Sequence, residues 1–165
     1  MIGSTDSTKV EISVKDRDIL DEEGDPIWVS LSIDIEIAKM SKTILDLIGD
    51  CDSPDIIPLP NDDTDKKTFE RVVAYCKQKL AHDSKDQGWK IDFFHPLQPV
   101  DLYHLTMAAN FLDIPELFDD VTTAVAETFK GKTPEEIRKE WNIKPDLSPE
   151  EIEQIKRENE WILDL

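Results

Sequence analysis

Three histidines, two cysteines and a dense set of carboxylates are the residues of this chain that could do chemistry. Imidazoles at His82, His95 and His104 could ligate a metal or move protons, but no two have the spacing that places metal ligands on one helix face. His82 falls in a charged helix end and reads as solvated surface, His95 precedes Pro96 in a loop, and His104 follows Tyr103 on a helix. None is joined to a cysteine or carboxylate pattern that specifies a metal site or a triad. Cys51 and Cys76 make neither a disulfide framework nor a zinc spacing. Asp16, Asp18 and Asp21, and again Asp50, Asp52 and Asp55, resemble calcium ligands. Neither set has Gly at the sixth place and Glu at the twelfth, so both read as solvated acidic loops. The five glycines are scattered, and no phosphate loop, dinucleotide fingerprint or nucleophile elbow occurs. The expectation is no catalytic residue, no cofactor and no metal.

The distinctive residues are instead apolar. Trp141 and Trp161 lie in or beside short helices near the C-terminus, with Ile137, Ile152, Ile155 and Ile162. Aromatic residues in such positions are enriched at interface hot spots, although each could equally complete a core. The 165 residues suit one compact domain, or one domain with an appended module. The formal net charge of −18 argues against nucleic acid and anionic membranes, which recruit Lys and Arg. It suits partners that are neutral or basic. Met1 to Thr8 is polar, so no signal peptide is expected. No run approaches the roughly 20 apolar residues of a membrane-spanning helix. A reducing compartment, cytosol or nucleus, is expected.

The elements that must position these residues are legible in the patterning. Val10, Ile12 and Val14 alternate, as do Ile27, Val29, Leu31 and Ile33, with the turn-rich stretch 21–26 between them, which predicts a hairpin. Ile35, Ile37, Ala38, Ile44, Leu45 and Ile48 suit two short helices. Residues 56–60 read as a short edge strand because each proline removes a ladder donor. Phe69, Val72, Val73, Cys76 and Leu80 share one face of a helix from about Asp65 to Ala81, with Asp62, Asp63 and Thr64 as candidate caps. Residues 83–98 read as a linker or surface loop. Pro99 and Pro115 open two helices, and Gly131 ends the second. Thr133-Pro134-Glu135-Glu136 and Ser148-Pro149-Glu150-Glu151 then repeat one design. A hydroxyl stands at the cap, Pro at the first position and Glu at the third, which is a capping box. Two helices this short must pack on the preceding helices or on a partner.

The run from Gly131 to Lys139, continued by Asn142-Ile143, resembles the signature of the S-phase kinase-associated protein 1 family. Ala108-Ala109-Asn110-Phe111-Leu112-Asp113-Ile114 is similar to that family's A-A-N-Y-L-D-I, and Glu158-Asn159-Glu160-Trp161 to its K-E-N-Q-W ending. Residues 34–39, 58–61 and 72–76 match in order, so the resemblance covers nearly the whole chain. It implies an α/β fold: a BTB/POZ-type domain followed by a C-terminal helical module. The parts would be 9–82, a linker at 83–98, helices at 99–130 that complete the BTB/POZ domain, and F-box-binding helices at 131–165.

The resemblance further implies a non-enzymatic adaptor of an SCF cullin–RING ubiquitin ligase, linking F-box substrate receptors to the cullin. Asn110 and Phe111 match the cullin-contacting pair. Tyr103, Val121, Val125, Ile137, Trp141, Ile143, Ile152, Ile155 and Trp161 are the residues expected to line the F-box groove. A weak homodimer through the C-terminal apolar face is expected of the free chain. Several departures mark a diverged paralogue: Phe111 in place of tyrosine, the aromatic 83–99 segment, the insert at 21–26 and an apolar tail. Loss of a buried hydroxyl contact at Phe111 would weaken cullin binding by about 1–3 kcal/mol. The alternative these departures raise is an assembly protein that keeps the fold, self-associates and has lost the cullin.

Overall fold

The computed structural model describes residues 9–50, 56–61, 64–82, 86, 88–144 and 146–159. It divides into two compact units, with the boundary between Thr128 and Phe129.

The first unit opens with the hairpin that the alternation predicts. β1 (Lys9–Leu20) pairs antiparallel with β2 (Pro26–Asp34), with Ile12 opposite Leu31 and Val14 opposite Val29. The inward parity of β1 buries Ile12, Val14 and Asp16. At the hairpin tip the Asp21 carboxylate accepts the Glu23 and Asp25 amides, both at 2.9 Å. Gly24 takes φ +89°, a conformation in which any side chain is strained. β3 (Ile57–Pro58) joins β1 in parallel at Ile12 and Ser13, giving the order β2-β1-β3. Pro58 thus sits on an edge strand, where a missing donor is tolerated.

The carboxylates that resembled calcium ligands have other work. Asp16 is held by Lys66 at 3.0 Å and accepts the Asp18 amide. Residues 51–55 of the second acidic set lie outside the described residues, as does the side chain of Asp50. Among the described residues no group of three or more His, Cys, Asp or Glu is placed to hold a metal, and no helix is long and apolar enough to cross a membrane.

Helices cover the sheet. α1 (Ile35–Ala38) and α2 (Lys42–Asp50) follow the hairpin, and α3 (Lys66–Ala81) follows β3. The N-cap of α3 is Asp65, whose carboxylate accepts the Thr68 amide at 2.8 Å. Of the expected caps, Asp62 and Asp63 lie outside the described residues, and Thr64 is fully buried. α3 buries Phe69, Val72, Tyr75 and Cys76 at helical spacing, while Leu80 is exposed at its end. Burial pushes the Cys76 thiol up to about 12, so it is an inert core group.

The segment read as a linker contains a helix, α4 (Gly88–Phe94). Trp89 and Phe94 are buried, with ring centroids 5.3 and 6.1 Å from that of Tyr75. Seven residues between a glycine and two prolines give too short a window for helical periodicity to show, and packing on α3 decides the matter. His82, expected to be solvated, remains exposed but stacks on Trp89 at 5.6 Å. The Tyr75 hydroxyl donates to Asp120 at 2.5 Å, and Lys90 closes on the same carboxylate at 2.7 Å.

α5 (Pro99–Phe111) and α6 (Pro115–Phe129) complete the unit. Arg71 on α3 meets Asp101 in the first turn of α5 at 2.7 Å, with Lys67 at 3.7 Å. Burial pushes the Asp101 carboxyl up, but the Arg71 hydrogen bond and the two cations outweigh it and hold the group below its usual 3.8. A depressed carboxyl contributes stability above its unfolded value and loses it as pH falls through the folded one. Acid titration of stability should therefore show a loss beginning near pH ~4, and Asp101→Asn should reduce the slope there. An unchanged slope would assign the acid sensitivity elsewhere.

In the second unit α7 (Pro134–Glu140) and α8 (Pro149–Glu158) are both capped as the sequence predicts. Gly131, with φ +73°, follows the end of α6.

Candidate protein-interaction surfaces

The first surface is the C-terminus of α5. Leu112 caps the helix and Asp113 takes φ +48°. The Ile114 amide reaches back to the Ala109 carbonyl at 3.0 Å, and the Asp113 amide to Asn110 at 3.2 Å. This is a Schellman turn built on aspartate rather than glycine. Three further carbonyls, of Phe111, Leu112 and Asp113, project past the helix end. Ser41 and the first turn of α2 take all three. Thr43 Oγ1 donates to Phe111 at 2.7 Å, Ser41 Oγ to Leu112 at 2.5 Å, and the Lys42 amide to Asp113 at 3.4 Å.

Ser41 serves twice, because the same oxygen accepts the Ile44 amide at 3.1 Å as the N-cap of α2. It is 1% exposed. Ser41→Ala should cost about 2–3 kcal/mol, one cap plus one buried carbonyl left without a donor. Denaturant unfolding would check this, and a loss under 1 kcal/mol would mean that water replaces the hydroxyl. The fixed turn presents Asn110 exposed and Phe111 half-buried, side by side. Ser41 and Thr43 carry no apolar periodicity. Only a serine three residues before Ile44 could have flagged the cap, and nothing local could have flagged its partners at 111–113.

The expected F-box residues fall into both units. In the first, Tyr103 is 48% exposed on α5, and Val125 is half-buried on α6. Val121 is fully buried and belongs to the core. Its position on α6, four residues after Leu117, puts both on the inward stripe, so it cannot line an open groove in this conformation.

In the second unit neither α7 nor α8 buries a single residue. They are held by their ends. Thr133 and Ser148 accept the amides of Glu136 and Glu151, whose carboxylates return to the cap amides at 2.8 Å. Those cap hydrogen bonds hold the Glu136 and Glu151 carboxyls below their usual range. Acids fill both first turns and bases both last turns, matching the helix dipole. α7 ends in a second left-handed turn, with Asn142 at φ +51° and the Ile143 amide on Arg138 at 2.8 Å. The Trp141 ring packs 5.2 Å from Phe129, and Lys132 pairs closely with Glu140. Ile137, Trp141 and Ile152 are half-buried, whereas Ile143 and Ile155 are 51% and 45% exposed. Leu147, 42% exposed, was missed in the sequence because it lies in a loop without periodicity. Trp161 lies outside the described residues. So many aliphatic groups on well-capped but unburied helices make a surface suited to a partner.

A POZ-type sheet-and-helix unit carrying a helical C-terminal module is the class that this fold defines. Two family models match the chain: "Skp1 family, tetramerisation domain" over residues 30–81 and "Skp1 family, dimerisation domain" over residues 115–162. SCF ubiquitin ligase complex protein SKP1a of Dictyostelium discoideum is 45% identical over 148 residues, covering 80% of this chain and 88% of the relative. SKP1-like protein 1A of Arabidopsis thaliana is 35% identical, over 80% of this chain and 89% of the relative. E3 ubiquitin ligase complex SCF subunit sconC of Arthroderma otae is 37% identical, over 82% and 90%. The chain belongs to the Skp1 family.

Proposed function

We propose that this chain is the adaptor subunit of an SCF-type cullin–RING ubiquitin ligase, linking F-box substrate receptors to the cullin scaffold for ubiquitin-dependent degradation. The observation that carries this reading is the pair of end-capped helices, α7 and α8, that have no fully buried residue and offer Ile137, Ile152 and Ile155 to a partner. The names of the relatives, which are SCF subunits, support it. Such an adaptor transfers no group. It raises the effective concentration of a substrate lysine near the charged E2 and fixes its orientation.

In this reading Asn110 and Phe111, on a turn locked by Ser41 and Thr43, form the cullin contact. The F-box is taken by Tyr103, Val125, Ile137, Trp141, Ile143, Ile152 and Ile155, together with Trp161. The BTB/POZ part comprises 9–82 and 99–130, and the F-box module 131–165. The free chain self-associates weakly through its C-terminal apolar face until an F-box covers it. The adaptor works in cytoplasm and nucleus.

The test is co-expression with an F-box segment, then size exclusion with the cullin N-terminal domain. A ternary peak is expected, reduced at least tenfold in cullin affinity by Asn110→Ala with Phe111→Ala. An F-box complex that ignores cullin would end the ligase reading.

A further inference from the structure

The outer edge of β2 has no strand beside it among the described residues. Its backbone orientation follows from a contact on the far side of β1. The Ser13 carbonyl accepts the Leu59 amide at 2.9 Å, so the polar groups of Ser13 face β3. Opposed residues in an antiparallel pair either bond to each other or both point away. Ser13 is opposite Ser30, so the N–H and C=O of Ser30 point to the open side. The same parity holds for Trp28, opposite Lys15, and Ser32, opposite Glu11.

Edges of this length are ordinarily blunted by charge, proline or a bulge. From Ile27 to Ile33 there is no charged residue and no proline, and the bulge in the hairpin lies beyond, between Asp16 and Leu20. Ile27, Val29 and Leu31 are only half-buried. An added strand would extend this face with its own alternate side chains.

Charge selects the occupant. Glu22, Glu23 and Asp25 stand exposed at one end of β2, whereas at the other Asp34 stands opposite Lys9 of β1. A second copy pairing about Ser30 would bring two chains that each carry −18 edge to edge. An extended segment with a cationic end meets the opposite sign at Glu22, Glu23 and Asp25. We propose that the outer edge of β2 is a strand-addition site for an extended partner segment with an uncharged core, apolar at alternate positions, and lysine or arginine at the end that meets Glu22, Glu23 and Asp25. This mode gives affinity through main-chain hydrogen bonds and selectivity through side chains and flanking charge.

The probe is a synthetic peptide of alternating valine and threonine with two lysines at each end, titrated into the full chain at low salt and followed through the backbone amides of 27–33. Saturable binding is expected, weakened about tenfold by Ser30→Pro, which removes an outward donor without touching the β1 ladder. Ser30→Lys, which blunts the edge without constraining the backbone, should weaken binding similarly. Glu22→Gln, Glu23→Gln and Asp25→Asn together should weaken it and flatten its salt dependence, and glutamate-flanked peptide should not bind. Equal binding by the Ser30→Lys chain, no saturation at millimolar peptide, or a dimer of the chain that Ser30→Lys dissociates would each overturn the proposal. F-box binding should be untouched by all these changes, which separates this edge from the α7 and α8 surface.

Discussion

Ile155→Asp is expected to leave the chain folded and to weaken F-box binding about a hundredfold, or roughly 3 kcal/mol. Ile155 is 45% exposed on α8, so a carboxylate there stays solvated in the free chain. Exposed substitutions of this kind change stability by about 1 kcal/mol or less. In the complex the same carboxylate would be stripped of water against the partner's apolar surface. Unfolding curves and a binding titration on the same preparation separate the two effects. Ile155→Leu should bind nearly as well as the parent. Unchanged affinity for the aspartate variant would place F-box docking away from α8.

Tyr75→Ala should cost about 4 kcal/mol, near the top of the range for a single core aromatic. Tyr75 is fully buried, and the rings of Trp89, Phe93 and Phe94 gather within 6.1 Å of it. It is therefore the anchor that seats α4 on α3. Burial, with the Asp120 hydrogen bond second, holds the phenol protonated well above its usual range, so it stays a donor at any working pH. Tyr75→Phe keeps the ring and removes only that donor. Asp120 still has Lys90, and the loss should fall to about 1–1.5 kcal/mol. Thermal unfolding of both variants gives the comparison. Equal losses would mean that the hydrogen bond, not ring packing, is the main contribution.

The hairpin, the long helix α3 and both capping boxes were legible because their signals are local. Period-2 alternation, period-3.6 burial and a hydroxyl three residues before a glutamate each lie within one turn or strand. α4 was not legible. Its two buried aromatics, Trp89 and Phe94, acquire meaning only against Tyr75, fourteen and nineteen residues earlier in the chain. Val121 shows the opposite failure: the resemblance offered it to a partner, while the inward stripe of α6 claims it for the core. The Asn110–Phe111 pair was found by resemblance, but its support by Ser41 and Thr43 has no signature in either segment. Ile137 and Ile155 were assigned to a partner by resemblance, whereas the helix lengths required only that α7 and α8 pack on something, the preceding helices or a partner.

The lock on the α5 terminus joins residues 68 and 71 positions apart in the chain. Closing a loop that long is slow compared with forming a capped helix, whose contacts span a few residues. The two proposed surfaces should therefore mature at different times. Helices α7 and α8 can flicker into shape as soon as their residues are available, whereas the Asn110–Phe111 turn acquires its shape only after Ser41 and the first turn of α2 have found their distant acceptors. With the roles proposed for the two surfaces, a chain caught midway in folding would hold the means to engage a receptor before it had the means to join a scaffold.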